Sequence, residues 1–333
     1  MSKSRVARTV EAFRGLLDPW LFLALSASFL PGTVTHIVQT HGLRRSLRIL
    51  ASPSRFGDIW FGQFWHFAGP NVRESAAPKV LPLLDGRTTK GRIVDAPTGP
   101  GVGGVVIEIG PASGLWVEVF SERHLYEDAS ATTGTASGTG LPAVRRRDGN
   151  GGDGRAEKRA NTARSEITRV YGVEPNTSHH AALRRAVDEA GLQGIYEIVP
   201  VGIEDLSSAR RSTRGVKWEG SIEPGSVDCI VSVLCLCSIP DPKYNIRELY
   251  KYLRPGGRWY VYEHVRCEYS WYMRWYQSIL NMVWPHLLGG CQLCRQTEKT
   301  LREAGHWSSI DVGQPPAEPW YHSLPHILGV FTK

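Results

Sequence analysis

The residues with the clearest potential for chemistry are Gly110 and Gly114, which follow a run rich in β-branched side chains at residues 105–109. The run is typical of a strand buried on both faces. The glycines allow the backbone to turn sharply and to approach a ligand closely. A helix predicted over 115–125 would direct its free N–H groups at the same turn. Such a unit commonly holds a nucleotide-type cofactor, although the same pattern also occurs in turns that bind nothing.

An acidic residue, Glu174, follows the second predicted strand, residues 167–173, and precedes Pro175 and Asn176. In a doubly wound sheet, an acid at this position meets the ribose hydroxyls of a cofactor whose other end lies over the first turn. Asn176 has a second interpretation as the N-cap of a helix predicted over 179–190. The two roles are compatible.

Three further strands are predicted over 196–201, 227–236 and 258–262. The nearly continuous apolar run 227–236 is typical of a central parallel strand. Because the carboxyl ends of parallel strands meet at one edge of a sheet, residues there would surround the cofactor. The predicted cofactor-binding residues are Glu108, Gly110, Ala112, Gly114, Glu174, Pro175, Asn176, Ile203, Glu204, Ser232 and Leu234.

The remaining pattern completes an α/β fold. Apolar residues recur with helical spacing over 246–253, and further helices are predicted over 270–285 and 295–304. Two last strands are predicted over 307–312 and 327–332. Together they give a doubly wound, Rossmann-like, seven-stranded sheet that is mostly parallel with an antiparallel edge.

The chain of 333 residues is long enough for one large domain with extensions. We assign residues 1–68 to an apolar and basic N-terminal helical arm and residues 69–333 to the α/β domain. Residues 69–104, rich in proline and glycine, are expected to form a connecting segment that leads into the first strand. The glycine-rich stretch at about 129–165 is predicted to be a disordered insertion.

The charge of the chain is concentrated in its arm. The net charge is +7; residues 1–70 carry eight Lys or Arg and three acids, which accounts for +5 of it. This distribution favours an anionic membrane surface over a nucleic acid as partner. All six cysteines follow residue 228, and we expect them to be reduced. The pair Cys291 and Cys294 has C-x-x-C spacing, but without a second pair it predicts no metal site.

The arm contains nineteen residues, 20–38, without a charged side chain. As a helix they would span roughly 28 Å, close to a bilayer core, although Pro31 and Gly32 interrupt them. Three interpretations are open: an in-plane or hairpin membrane anchor, a single membrane span, and a helix packed on the core or over the active site. The aromatic stretch 56–67 fits a membrane interface or the lid of an apolar pocket.

The order of these motifs resembles that of class I S-adenosylmethionine (SAM) methyltransferases. It comprises Glu-x-Gly-x-x-x-Gly at 108–114, an acid at Glu174, Gly-x-Glu-Asp at 202–205, and Leu-Arg-Pro-Gly-Gly at 253–257. The run 263–290 is more specific and is similar to membrane-associated thiol methyltransferases of the endoplasmic reticulum and lipid droplets. Ala112 departs from the family, whose first loop usually has glycine there. An added methyl is tolerated if residue 112 need not adopt a positive φ.

The resemblance implies a methyltransferase that uses SAM as cofactor and a small lipophilic molecule, a thiol by analogy, as acceptor. Its thiolate is the reactive form, so a nearby base would assist. His264, after the fifth strand, is the candidate catalytic base, with a structural histidine as the alternative; His286 is a weaker candidate. Glu108 would orient the first loop or the methionine amino group.

Other functions remain open at this level. The chain could be an O- or C-methyltransferase of a secondary metabolite or quinone, or a non-catalytic membrane or lipid-droplet protein that keeps the fold. The expected location is a membrane of the endoplasmic reticulum or a lipid droplet, and otherwise the cytoplasm.

Overall fold

The computed structural model describes residues 5–121, 165–207 and 218–333. The insertion predicted over about 129–165 lies outside these residues, apart from Ser165. Within the described ranges the chain forms a seven-stranded sheet covered by helices, with three long N-terminal helices beside it.

The N-terminal arm is helical throughout its described part. It consists of α1 (Arg5–Ser28), α2 (Leu30–Leu50) and the start of α3 (Pro53–Leu84). Gly42 takes a φ of 69° within α2 and kinks it. By length and composition, the helical segment Thr9–Leu50 could cross a membrane, and 22% of its most apolar window is buried.

Helix α3 corrects the expectation of a connecting segment over 69–104. Residues 69–84 form the C-terminal half of the helix, which passes through the predicted boundary at residue 68. Three prolines lie inside α3, and each removes one backbone hydrogen bond. Val80, Leu83 and Leu84 are fully buried against the sheet, and this burial outweighs the lost hydrogen bonds.

The sheet confirms the predicted architecture. A short hairpin of β1 (Thr88–Thr89) and β2 (Arg92–Ile93) precedes it. Its strands are β3 (Gly104–Ile109), β4 (Ile167–Val173), β5 (Tyr196–Val199), β6 (Val227–Val233), β7 (Leu253–His264), β8 (Ser309–Gly313) and β9 (His326–Thr332). They lie in the order β5-β4-β3-β6-β7-β9-β8. Strands β3 to β7 are parallel, and β9 runs antiparallel to both of its neighbours.

The turn after β3 differs from its prediction. Instead of a helix over 115–125, the described part has a 3₁₀ helix at Val117–Phe120. Trp116 and three of the four 3₁₀ residues are buried. An α-helix buries a single stripe, whereas this short segment buries side chains in nearly every direction, which a tighter turn accommodates.

Helices fill the remaining connections. They are α4 (His180–Glu189), α5 (Pro242–Tyr252), α6 (Trp271–Asn281), α7 (Trp284–Leu287) and α8 (Thr297–Arg302). The helix predicted over 270–285 is divided into α6 and α7, because Pro285 cannot donate the hydrogen bond that would continue α6. The Oγ of Ser270 caps α6 by accepting the N–H of Met273 at 3.2 Å.

The core lies on both faces of the sheet. Val106 and Ile107, adjacent in β3, point to opposite faces and belong to two separate apolar clusters. A third cluster joins the arm to the α/β domain through Leu23, Phe64 and Trp284. The arm therefore packs on the domain at the edge where the parallel strands end.

Candidate functional site

A cavity of about 1540 Å³ lies at the carboxyl ends of β3, β4, β6 and β7. The arm closes its opposite side, so it extends from the sheet edge to α1 and α3. Of the predicted site residues, it is lined by Gly110, Ala112, Glu174, Pro175, Asn176, Ile203, Glu204, Leu234 and His264. The structure therefore places nine of the predicted site residues around one cavity.

The glycine-rich turn forms one wall of this cavity. Gly110 has a φ of 64°, and a Cβ there would lie 2.9 Å from Cβ of Cys235. A Cβ on Gly114, at a φ of 87°, would lie 2.5 Å from Cβ of Ala186. Both glycines are therefore required by backbone conformation and by space. Gly114 packs against α4 and does not line the cavity.

Ala112 adopts a φ of 49°. The condition under which the extra methyl would be harmless, a negative φ at residue 112, is thus not met. A left-handed conformation costs an ordinary L-residue about 1 kcal/mol or more relative to glycine. The chain retains this strained turn at the cavity wall.

Glu174 connects the first and second turns. Its Oε2 accepts a hydrogen bond from the N–H of Ala112 at 3.0 Å, and its Oε1 accepts one from the N–H of Asn176 at 2.8 Å. The two oxygens are thereby held in fixed directions at the cavity wall. The side-chain Oδ1 of Asn176 accepts the N–H of Ser178 at 3.0 Å. The N-cap of α4 is His179, which makes no side-chain capping hydrogen bond, so the prediction of Asn176 as the N-cap of this helix is wrong.

Two predicted cofactor residues lie behind the cavity wall. Glu108 is buried and accepts the hydroxyl hydrogen of Tyr196 at 2.6 Å. Burial raises the pKa of Glu108 to about 7. Ser232 is fully buried, and its Oγ accepts the indole N–H of Trp259 at 3.0 Å. Both residues support the strands beneath the site.

The other half of the cavity contains a cluster of two thiols and an imidazole that the sequence analysis did not assemble. The ligand atoms of Cys237, His264 and Cys291 lie within 4.8 Å of one another, and all three side chains are enclosed by protein. Nε2 of His264 is 3.0 Å from Sγ of Cys291, which also accepts the indole N–H of Trp284 at 3.2 Å. We call these three residues the Cys–His–Cys cluster.

A positively charged side chain lines the same cavity as the cluster. The guanidinium of Arg295 donates to the carbonyl oxygens of Leu236 and Ile239, each at 2.7 Å, and lines the same cavity. The hydrogen bond to Cys291, together with burial, holds the pKa of Cys237 well above its usual value. Burial lowers the pKa of His264, but its thiol neighbour outweighs burial and the net direction is upward.

A second polar pair on the cavity wall, Glu318 and His326, was also missed. Nδ1 of His326 lies 2.6 Å from Oε1 of Glu318, whose Oε2 accepts the backbone N–H of His326 at 3.0 Å. Although burial opposes ionisation, hydrogen bonds from His322 and His326 lower the pKa of Glu318 to about 2. The ring of Tyr262 stacks on His326 at 4.7 Å. Glu318 lies in an irregular segment without a recognisable pattern.

Aromatic side chains of the arm form the apolar end of the cavity. Phe22, Trp60, Phe61 and Trp65 line it, and the indole N–H of Trp60 donates to the carbonyl of Ser26 at 2.9 Å. The ring of Phe22 stacks on that of Trp284 at 6.1 Å. In the structure the arm therefore packs over the cavity, which is one of the three arrangements that the sequence left open.

The sheet order and the glycine-rich turn define an α/β fold of the class in which ligands bind across the ends of the central parallel strands. Residues 71–306 match the family model of the methyltransferase domain. The chain belongs to this methyltransferase family, as the order of its motifs predicted.

Comparisons with individual proteins agree with this assignment. The human thiol S-methyltransferase TMT1B is 40% identical over 111 residues, which are 33% of this chain and 45% of that protein. The human thiol S-methyltransferase TMT1A is 36% identical over 113 residues, 34% of this chain and 46% of that protein. The chain thus matches less than half the length of these relatives.

A solved structure of the S-adenosylmethionine-dependent methyltransferase SibL in its apo form aligns with a TM-score of 0.45 at 16% identity. The alignment covers 97% of this chain and 74% of that chain.

Proposed function

We propose that this methyltransferase uses SAM to methylate a small lipophilic thiol. One observation carries the proposal: a single cavity joins the glycine-rich turn and Glu174 to the Cys–His–Cys cluster and then to the aromatic end formed by the arm. A polar cofactor and an apolar acceptor can therefore meet in one enclosed space. The human relatives that the chain matches in part are named thiol S-methyltransferases.

The cofactor half has the features that a nucleoside cofactor requires. At Gly110 the backbone borders the cavity, and the position has no space for a side chain. The oriented carboxylate of Glu174 lies at the end of β4, where ribose hydroxyls bind in this fold class. Ile203 and Glu204 line the neighbouring wall, where an adenine would lie. When bound, SAM supplies a methyl group on a sulfonium that is already activated for transfer.

The residues of the chain then have to orient the acceptor and exclude water. Alignment of two bound reactants is a large part of the acceleration in such a reaction. Trp65 and Phe61, stacked with ring centroids 5.4 Å apart, provide an apolar surface for the acceptor body. The thiol would lie near the Cys–His–Cys cluster, which lines the same cavity.

The base that receives the thiol proton has two candidates. His264 is the base predicted from the sequence, but its Nε2 already contacts Sγ of Cys291 at 3.0 Å. His326 is held through Nδ1 by Glu318, which leaves Nε2 as its proton-accepting nitrogen. A carboxylate that orients an imidazole in this way is a common arrangement for general bases.

We further propose that the outer face of the arm lies on a membrane. Val10, Phe13, Leu17 and Leu21 form an exposed stripe along α1. Helix α6, joined to α1 by a hydrogen bond from the hydroxyl of Tyr276 to the carbonyl of Leu16, adds exposed Trp271 and Trp275. Tryptophans of this kind are enriched at membrane interfaces. An endoplasmic reticulum or lipid-droplet location follows from the resemblance alone.

The membrane proposal is tested by flotation of the full chain with vesicles. We expect the chain to float with neutral and anionic vesicles, and the double variant Trp271→Ser/Trp275→Ser to float less. A chain that remains at the bottom of the gradient with both vesicle types would refute the proposal. Substitution of Tyr244, which is exposed elsewhere on the surface, by Ser is the matched control.

The catalytic proposal is tested by calorimetry and by an acceptor panel on the full chain in detergent. We expect SAM to bind, Gly110→Val to abolish binding, and a lipophilic thiol to be methylated faster than a phenol or a hydroquinone of similar size. The control variant is Gly99→Val, because a Cβ on Gly99 meets nothing within 4 Å. Failure of the folded chain to bind SAM would refute the cofactor assignment, and preference for the phenol would refute the acceptor class.

A further inference from the structure

The Cys–His–Cys cluster has the composition of a metal site. Two cysteines and one histidine, with ligand atoms within 4.8 Å of one another, are enclosed by protein. Three protein ligands with a fourth position left for water or substrate is the usual arrangement of catalytic zinc sites, and Cys₂His is one of the known ligand sets.

We propose that Cys237, His264 and Cys291 bind Zn²⁺, and that the fourth position of the ion takes the acceptor thiol. The second half of this inference rests on the function proposed above, whereas the first half, metal binding, does not. Four thiols of the chain lie outside the cluster and would take no part: Cys229, Cys235, Cys267 and Cys294.

The distances are compatible with tetrahedral coordination. With Zn–S of ~2.3 Å and Zn–N of ~2.0 Å, tetrahedral ligand atoms lie about 3.5–3.8 Å apart. Nε2 of His264 and Sγ of Cys291 are 3.0 Å apart, and no pair in the cluster exceeds 4.8 Å. The separations in the structure therefore differ from the tetrahedral values by about 1 Å or less.

The surroundings also suit a metal with thiolate ligands. The indole N–H of Trp284 donates to Sγ of Cys291, and such bonds orient and stabilise a ligating sulfur. Arg295 is held by two carbonyl oxygens on the same wall, where its positive charge favours thiolates.

The metal would give the cluster a direct role toward the acceptor. A thiol that replaces a water on Zn²⁺ binds as its thiolate, because coordination lowers the thiol pKa. The S–H bond breaks, the sulfur keeps the electron pair and donates it to the metal, and the proton leaves to solvent. Zinc does not change its oxidation state, so the step requires no oxidant or reductant. His264 would then be a metal ligand and not the base that accepts the thiol proton.

The test measures metal binding independently of turnover. The full chain, purified in detergent under reducing conditions, is analysed for zinc by mass spectrometry. We expect about one zinc per chain, and at least a fivefold loss in Cys237→Ser, Cys291→Ser and His264→Ala. Cys294→Ser is the matched control, since Cys294 shares the C-x-x-C spacing with Cys291 but lies outside the cluster, and it should retain the metal.

Cobalt substitution keeps the test valid if a variant fails to fold. Wild-type chain depleted of zinc and loaded with Co²⁺ should show the intense visible bands of a tetrahedral ion and sulfur-to-cobalt charge transfer. Addition of benzyl mercaptan should shift these bands, and addition of methanol at the same concentration should not. Absence of tetrahedral bands in the folded chain would overturn the proposal.

Two outcomes separate this inference from the proposed function. If SAM binds and thiols are methylated by a chain without zinc or tetrahedral cobalt, the metal site is refuted and the function stands. If the chain binds zinc but no SAM, the function is refuted and the site stands. Titration of the denatured chain should find all six thiols; two fewer would indicate a disulfide between Cys237 and Cys291, which would also refute the metal site.

Discussion

The backbone N–H of Ala112 donates a hydrogen bond to Oε2 of Glu174 over 3.0 Å. This single bond ties the glycine-rich turn after β3 to the turn after β4, and it orients one oxygen of the carboxylate at the cavity wall. It forms while Ala112 holds a φ of 49°. The turn thus combines a strained residue with a bond that fixes the proposed cofactor site, and the two effects can be separated by mutation.

Replacement of Ala112 by glycine is expected to stabilise the protein. Glycine removes the left-handed strain of about 1–2 kcal/mol, whereas its greater freedom in the unfolded chain costs about 0.5–1 kcal/mol. The net gain is about 0–1.5 kcal/mol, measured by urea unfolding.

The matched control for this substitution is Ser113→Gly, one residue further along, where φ is not positive. This change brings the entropic cost without the relief of strain and should destabilise the protein. Equal destabilisation by both glycine variants would contradict the assignment of strain to residue 112.

Glu174→Gln is expected to weaken SAM binding by about 10–100-fold. The amide keeps one acceptor oxygen but presents N–H donors to either Ala112 or Asn176, so one of the two backbone hydrogen bonds is lost. A hydrogen bond to a charged acceptor contributes about 1.5–3 kcal/mol. Calorimetry measures the effect, with Glu189→Gln, an exposed change at the end of α4, as control. An unchanged dissociation constant would remove Glu174 from the cofactor site.

The local pattern of the sequence predicted some elements of the fold correctly and others wrongly. Strand β4 was predicted residue for residue, although Thr168 and Arg169 interrupt its apolar residues. The seven-stranded, mostly parallel sheet was predicted as well, but the order of its strands is known from the structure. The helix predicted after Gly114 was wrong, because the apolar residues of that segment are compatible both with an α-helix and with the 3₁₀ helix that forms.

The Cys–His–Cys cluster could not be predicted from local sequence pattern. Cys237 and Cys291 each lie 27 residues from His264, and only the fold brings the carboxyl ends of β6 and β7 together with the loop after α7. The positive φ of Ala112 was equally invisible, since alanine carries no signal for a left-handed backbone. His264 was placed after the fifth predicted strand, but the thiols that it contacts in the structure were not identified.

Protein stability is expected to fall as the pH rises from 4.5 to 7, through Glu108. Burial raises its pKa from 4.5 to about 7, so across this interval the unfolded chain releases a proton that the folded chain keeps. The stabilisation is fully present below pH 4.5 and is lost as the pH passes through 7; its size is at most on the order of 3 kcal/mol.

Glu108→Gln tests this pH dependence, because glutamine accepts the Tyr196 hydroxyl hydrogen without titrating. Urea unfolding of both proteins from pH 4.5 to 8 should give a smaller loss of stability in the variant. Burial also raises the pKa of Glu263 to about 7, so part of the wild-type slope should remain. A difference between the two proteins that is constant with pH would contradict a raised pKa at Glu108.

Trp65→Ala is expected to affect lipophilic acceptors selectively. Trp65 lines the apolar end of the cavity and stacks on Phe61, so its removal deprives an apolar acceptor of contact area worth about 1.5–3 kcal/mol. The KM for benzyl mercaptan should rise by about 10–100-fold, that for 2-mercaptoethanol should change little, and SAM affinity should be preserved. Phe67→Ala is the control, because Phe67 belongs to the same helix but is 54% exposed. If both thiols lost affinity equally, Trp65 would support the fold of the arm rather than the acceptor, and the aromatic end of the cavity would not be the acceptor site.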